Sequence, residues 1–127
     1  MSSALARVIG IFAAIELFVV GGLGALAARR FGFPYAALTP VSFLVYGLAG
    51  FFAAKAGGSG SVAGGAVALL DSVAWATFGG FGPQPTVAGM TVGQKIGTIL
   101  LVTLSGAVCG LLGAWAARHL APSGGSA

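Results

Sequence analysis

Residues 45–55 read VYGLAGFFAAK, and residues 108–118 repeat the pattern as VCGLLGAWAAR. Six of the eleven aligned positions are identical, and each segment ends in a basic residue. Each segment closes an apolar run that approaches the roughly 20 residues that a helix needs to cross a bilayer. The repeat therefore predicts two related membrane helices, each ending at a membrane surface.

Two further apolar runs give four predicted spans, at residues 6–28, 36–55, 61–80 and 96–118. The composition agrees, because 6% of the 127 residues are charged, whereas soluble domains contain about 25%. We predict an all-α fold, a single integral membrane domain over residues 1–127 that forms a bundle of four transmembrane helices. Residues 81–95 are expected to form the one long loop and residues 121–127 a flexible tail.

The helices that precede the two repeated segments also resemble each other, although more loosely. Three aligned pairs carry the similarity: Gly10 with Gly65, Ala13 with Ala68, and Glu16 with Asp71. This pattern predicts two tandem parallel hairpins, each with one acid in the middle of its first helix. The alternative is chance similarity between helices that are rich in glycine and alanine.

Small residues recur at helical spacing in both repeated segments. The stripe on the second helix is Gly47, Gly50 and Ala54, and that on the fourth is Gly106, Gly110, Gly113 and Ala117. Small side chains let helix backbones approach closely, which is how helices associate in lipid. The stripes predict close helix packing, either within the chain or between copies of it.

Glu16 and Asp71 are the two acidic residues of the chain, and both lie in the middle of predicted spans. A charge at that depth costs roughly 2.5–3.5 kcal/mol on insertion scales, so such groups persist where they have a role or a partner. One interpretation makes them proton or cation sites. A second makes them neutral groups that hold helices together through nearby hydroxyls, and a third pairs them with a base of another subunit. The candidate hydroxyls are those of Thr39, Ser42, Tyr46, Thr103 and Ser105.

Other chemistry is poorly represented in the sequence. The chain has one histidine, His119, and one cysteine, Cys109, which are too few to complete a metal site. No serine–histidine–acid arrangement is credible, because His119 lies at a membrane edge far in depth from Asp71. The six basic residues are scattered rather than clustered, which argues against nucleic acid. We therefore expect no enzyme activity, no metal and no cofactor.

The basic residues divide equally between the two membrane surfaces. Three fall on the side of both termini, and three on the other side, at Arg29, Arg30 and Lys95. The positive-inside rule thus hardly decides the orientation. His119 and the amino terminus favour termini in the cytoplasm, although an equal division is also typical of dual topology.

Residues 47–58 and 64–70 resemble a group of small bacterial four-helix membrane proteins of unknown function. In that group a glycine-rich second helix ends in Ala-Ala-Lys-Ala-Gly, as residues 53–57 do here, and a Gly/Ala-rich third helix follows at once. This resemblance implies a bacterial inner membrane. Glu16 is also similar to the first-helix acid of small multidrug-resistance exporters, which implies a shared proton and cation site in an antiparallel dimer.

Two functions follow as expectations. The first is a non-enzymatic accessory or assembly subunit of a larger membrane complex, or a self-associating bundle, whose partners are the lipid bilayer and other membrane subunits or itself. The alternative is a small proton-coupled exporter or ion channel that works as a homodimer through Glu16 and Asp71.

Overall fold

The computed structural model describes residues 3–78 and 90–120, and within these ranges every regular element is helical. Four helices account for the fold: α1, Ser3–Phe31; α2, Thr39–Lys55; α3, Gly60–Phe78; and α4, Val92–Leu120. Helices α2 and α3 lie at the centre, and both α1 and α4 pack on them. The expected all-α fold with four helices is confirmed.

Helix α1 is not α-helical throughout. Its middle segment, Ile15–Leu23, is a π-helix between α-helical segments Ser3–Ala14 and Gly24–Phe31. The backbone N–H of Gly24 donates to the carbonyl of Val19, five residues back. Segments of π-helix are rare and are found frequently at functional sites. This one contains Glu16.

The turn between α2 and α3 is fixed by backbone hydrogen bonds. Gly57 has a φ of 83°, a left-handed conformation that glycine adopts without strain. Its N–H donates to the carbonyl of Ala54, and the N–H of Gly58 donates to the carbonyl of Ala53. These two hydrogen bonds form a Schellman motif. The Ser59 hydroxyl then accepts from the N–H of Val62 and begins α3. Helices α2 and α3 therefore form a tight hairpin.

All four helices begin at residues other than the predicted ones: α1 at residue 3 instead of 6 and α3 at residue 60 instead of 61, and the other two starts have a local cause. The second span was expected from residue 36, but residues 35–38 form a 3₁₀ turn and α2 begins at Thr39, with Pro40 in its first turn. The fourth was expected from residue 96, but α4 begins at Val92. Thr91 and Gln94 exchange backbone–side-chain hydrogen bonds of 2.9 and 3.1 Å, which is a capping box. Residues 92–95 are thus helical and not part of a loop. Residues 79–89 and the predicted tail at 121–127 lie outside the described residues.

Glycine packing joins α4 to α2 and α3. A Cβ placed on Gly50 would overlap the backbone of Gly110, and one placed on Gly113 would overlap that of Gly47. On the α3 side, Gly106 and Gly110 meet the backbone of Gly60 and Gly64 in the same way. Of the other stripe residues, Ala117 is buried and Ala54 is partly buried. The predicted stripes of α2 and α4 therefore face each other inside the chain.

Two of the helices, α1 and α4, are long and apolar enough to cross a membrane. The surface of the bundle is apolar as well: Leu101 of α4 is 66% exposed, and Phe18 of α1 is 62% exposed. All basic residues among those described lie near helix ends, with Arg29 and Arg30 in the last turn of α1.

Candidate functional site

Glu16 is buried in the bundle. It is the second residue of the π-helical segment of α1, and 2% of its surface is exposed. The hydroxyl of Ser42, on α2, donates to Glu16 Oε2 at 2.7 Å, an ordinary length for such a bond. A buried carboxyl group requires such partners, because burial without a hydrogen bond is costly.

Asp71 lies on α3 and is partly exposed. The hydroxyl of Tyr46, one turn after Ser42 on α2, donates to Asp71 Oδ2 at 3.1 Å. Tyr46 itself is 2% exposed and is among the largest fully buried side chains of the described chain. One face of α2 therefore supplies a hydroxyl donor to each of the two acids.

The two carboxyl groups also meet each other. The side chains of Glu16 and Asp71 are close enough to interact through a hydrogen bond. Glu16 Oε1 is buried, and no N–H or hydroxyl group of the described residues donates to it. Two carboxylates in such contact cannot readily both be ionised, so a proton between them is the arrangement that satisfies this atom.

A partly enclosed cavity of about 640 Å³ adjoins the pair. It occupies the half of the bundle that lies toward the turn between α1 and α2. All four helices line it, and its lining residues are Glu16, Leu17, Phe18, Gly21, Leu38, Thr39, Ser42, Phe43, Tyr46, Asp71, Ser72, Ala74, Trp75, Thr98 and Val102. A mostly apolar wall with a few converging polar groups is the usual character of a small-molecule site.

Aromatic rings and acids are combined in this wall. Phe18, Phe43, Tyr46 and Trp75 all line the cavity. The faces of aromatic rings attract cations, and a desolvated carboxylate does so more strongly. Within residues 3–78 and 90–120, no group of three or more His, Cys, Asp or Glu could hold a metal ion. The arrangement suits a proton or an organic cation.

The five candidate hydroxyls, those of Thr39, Ser42, Tyr46, Thr103 and Ser105, make different contacts in the structure. Ser42 and Tyr46 bond to the acids, whereas Thr39 lines the cavity without a bond to either. Ser105 donates to the carbonyl of Leu101 in its own helix at 2.9 Å. The hydroxyl of Thr103 is buried and has no hydrogen-bond partner in the described chain.

The contact between Glu16 and Asp71 was missed by the sequence reasoning, which gave each acid its own hairpin. A signal was available. The two acids align in the internal similarity, and parallel helices of equal length place aligned residues at equal depth. What the pattern does not contain is the rotation that turns the two side chains toward each other.

Comparison of the chain with protein-family models, with curated proteins and with solved structures gave no match. The chemistry of the cavity is therefore the basis for assigning a function.

Proposed function

We propose that the chain is an integral membrane protein that crosses the bilayer four times, as two related hairpins, and exchanges protons for a cation at the Glu16–Asp71 pair. The contacts of Gly50 with Gly110 and of Gly113 with Gly47 support the duplication, because Gly47 aligns with Gly110 and Gly50 with Gly113, so the repeat relates one contact to the other. The apolar exterior and the basic helix ends support the membrane location. A bacterial inner membrane and cytoplasmic termini remain part of this proposal.

The observation that carries the function is that both acids of the chain lie together on one cavity. Acids inside a membrane protein are expensive, and they mark ion and proton pathways. A purely structural role would be satisfied by two separate hydroxyl–carboxyl contacts, with no cavity beside them. The aromatic wall adds affinity for an organic cation with an apolar body.

The exchange follows from competition for the same negative charge. Full protonation neutralises the pair, and release of one proton creates the single negative charge that holds the cation. Because the cavity lies in one half of the bundle, the bound species reaches the pair from the side of the α1–α2 turn in this conformation. Transport also requires a second conformation that opens the opposite side, and a homodimer is the proposed working unit.

The test is cation uptake into proteoliposomes driven by a pH gradient, with a fluorescent lipophilic cation as the probe. Asp71→Asn should reduce uptake to that of protein-free liposomes, since an amide can neither exchange a proton nor hold the cation by its charge, and should leave assembly intact. Ser105→Ala is the matched control, because its hydroxyl bonds within its own helix. Absence of uptake by the unsubstituted protein would contradict the proposal.

A second candidate is an accessory or assembly subunit of a larger membrane complex, or a self-associating bundle. The observation in its favour is the outer face of α4, where large apolar side chains are each more than half exposed, including Leu100, Leu101, Leu104, Val108, Leu111 and Trp115. Purification from native membranes in mild detergent through a tag after Ala127, followed by native mass spectrometry, distinguishes the candidates. A stoichiometric larger complex would favour this role, and a homodimer alone would exclude the accessory role.

A further inference from the structure

The geometry points to a single proton held by the two acids, located on Glu16, so that Asp71 carries the one negative charge of the site. The location of this proton does not depend on transport. Its consequence for the ligand, a preference for monovalent over divalent cations, rests on the proposed function.

The hydrogen bonds around the pair require one proton. Glu16 Oε2 accepts from Ser42, and Asp71 Oδ2 accepts from Tyr46, but Glu16 Oε1 is buried and receives no donor. If both acids were ionised, this atom would be a buried anionic oxygen beside another carboxylate. With one proton on Glu16 Oε1, Glu16 donates to Asp71, and each buried oxygen of the two carboxyl groups has a partner.

Burial determines which acid carries the proton. A proton on Asp71 that pointed at Glu16 would satisfy the same bonds, so the hydrogen-bond pattern alone allows both arrangements. Glu16 is 2% exposed, whereas Asp71 is partly exposed at the cavity. Desolvation penalises a charge most where burial is deepest, so the charge belongs on Asp71 and the proton on Glu16.

The charge of the site then limits its ligand. Among the described residues that line the cavity, the titratable ones are Glu16, Tyr46 and Asp71, from α1, α2 and α3, while α4 contributes Thr98 and Val102. Tyr46 donates its proton in a hydrogen bond and stays neutral. One negative charge in an apolar cavity neutralises one positive charge, and a second positive charge would be desolvated without a partner.

The sequence offers an unusually direct test, because the chain has one Glu and one Asp. Cell-free synthesis with glutamate labelled with ¹³C at the side-chain carboxyl labels Glu16 alone, and labelled aspartate labels Asp71 alone. Infrared spectra of the protein in lipid nanodiscs at neutral pH then report each group separately. We expect labelled glutamate to shift the carbonyl band of a protonated acid, and labelled aspartate to shift a carboxylate band.

Three outcomes would overturn the inference: an acid band that shifts with aspartate instead, no acid band with either label, or acid bands with both. These spectra need no substitution, so a variant that fails to fold cannot obscure the result. Glu16→Gln serves as the control, since it should remove the acid band and leave the carboxylate band of Asp71.

Ligand binding tests the second part, with tetraphenylphosphonium as monocation and methyl viologen as dication. Asp71→Asn should weaken the affinity for tetraphenylphosphonium by about tenfold or more, and by more than Glu16→Gln does, because the amide of the Glu16→Gln variant can still donate to Asp71. Tighter binding of the dication, or loss of affinity in Glu16→Gln alone, would contradict the inference. If the unsubstituted protein binds neither probe, the proposed function fails, while the infrared result still decides where the proton lies.

Discussion

The two halves of this bundle are built in opposite ways. In the half nearer the chain termini, α4 lies against α2 and α3 through glycines, and Ala49, Ala53 and Ala63 are fully buried. In the half nearer the α1–α2 turn, the same four helices enclose a cavity of about 640 Å³ that contains both acids. The first, here called the packed half, leaves no space for a methyl group at its glycine contacts, whereas the second, the open half, leaves room for a small molecule.

The difference follows from the residues that each half places between its helices. Glycine and alanine allow backbone contact, and in lipid that contact holds helices together. Beyond Gly106 toward the start of α4, the inward-facing residues are larger, and Thr98 and Val102 line the cavity. The packed half can therefore act as a rigid base from which the helices of the other half diverge.

The largest expected effect lies in the packed half. Gly110→Ala adds a methyl group that would overlap the backbone carbonyl of Gly60, which cannot move away as a flexible side chain could. We expect a loss of about 3 kcal/mol in the free energy of unfolding, at the upper end for overpacking. Chemical unfolding in detergent micelles measures it.

Gly97→Ala is the control for this substitution, because it lies on the same helix and its added Cβ would meet nothing within 4 Å. It should leave stability unchanged or raise it by up to about 1 kcal/mol, since alanine favours helix more than glycine does. Equal losses for the two variants would show that the glycine contacts do not hold the packed half together.

A smaller effect is expected where the packed half meets the cavity. Tyr46→Phe keeps the ring but removes the hydroxyl that donates to Asp71. Because we place the charge on Asp71, the loss should be about 2 kcal/mol, as for hydrogen bonds to ionised groups. The same unfolding assay applies, and a loss below that of Ser42→Ala would count against a charged Asp71.

Ser42→Ala should cost less. It removes the 2.7 Å hydrogen bond to Glu16, which we take to be protonated, so about 1 kcal/mol is expected for a bond between neutral groups. Ser105→Ala, whose hydroxyl bonds to a carbonyl of its own helix, should change the unfolding free energy by less than about 0.5 kcal/mol. If neither substitution changes the unfolding free energy, the hydrogen bond from Ser42 to Glu16 does not contribute to stability.

The smallest effect on stability is expected from bulk added to the open half. Ala74→Leu, at the cavity wall, should change the unfolding free energy by no more than about 0.5 kcal/mol, yet weaken binding of tetraphenylphosphonium by occupying its space. The same substitution at Ala63, which is fully buried, should be severely destabilising. Similar losses of unfolding free energy at Ala74 and Ala63 would show that the two halves do not differ in packing.

Much of the packed half could be predicted from the sequence. The spacing of Gly47 and Gly50, and of Gly110 and Gly113, indicates close contact, because small residues three apart lie on one helix face. The start of α4 could also have been predicted, since Thr91 and Gln94 have the spacing of a capping box. Overlooking that signal shortened the predicted helix by four residues.

The open half was harder to predict, for a physical reason. Depth along a helix can be counted in residues, but a side chain faces a neighbour only if the rotation of both helices is known. The π-helical segment of α1 changes that rotation next to Glu16, and nothing in the apolar pattern of residues 15–23 distinguishes π from α. The meeting of Glu16 with Asp71 therefore emerged only with the structure.

The π-helical segment also bears on how the chain can tolerate insertions and deletions. Each π hydrogen bond spans one more residue than an α bond. A π-helical turn therefore contains more residues than an α-helical turn, so loss of one residue between Leu17 and Leu23 would be absorbed by a return to α geometry. Glu16, before the deletion, would keep its place, and Arg29 and Arg30 would keep roughly their directions. In an uninterrupted α-helix the same deletion would turn every later side chain by about 100°. The π-helical segment is thus the place in α1 where a change of length least disturbs the two ends of the helix.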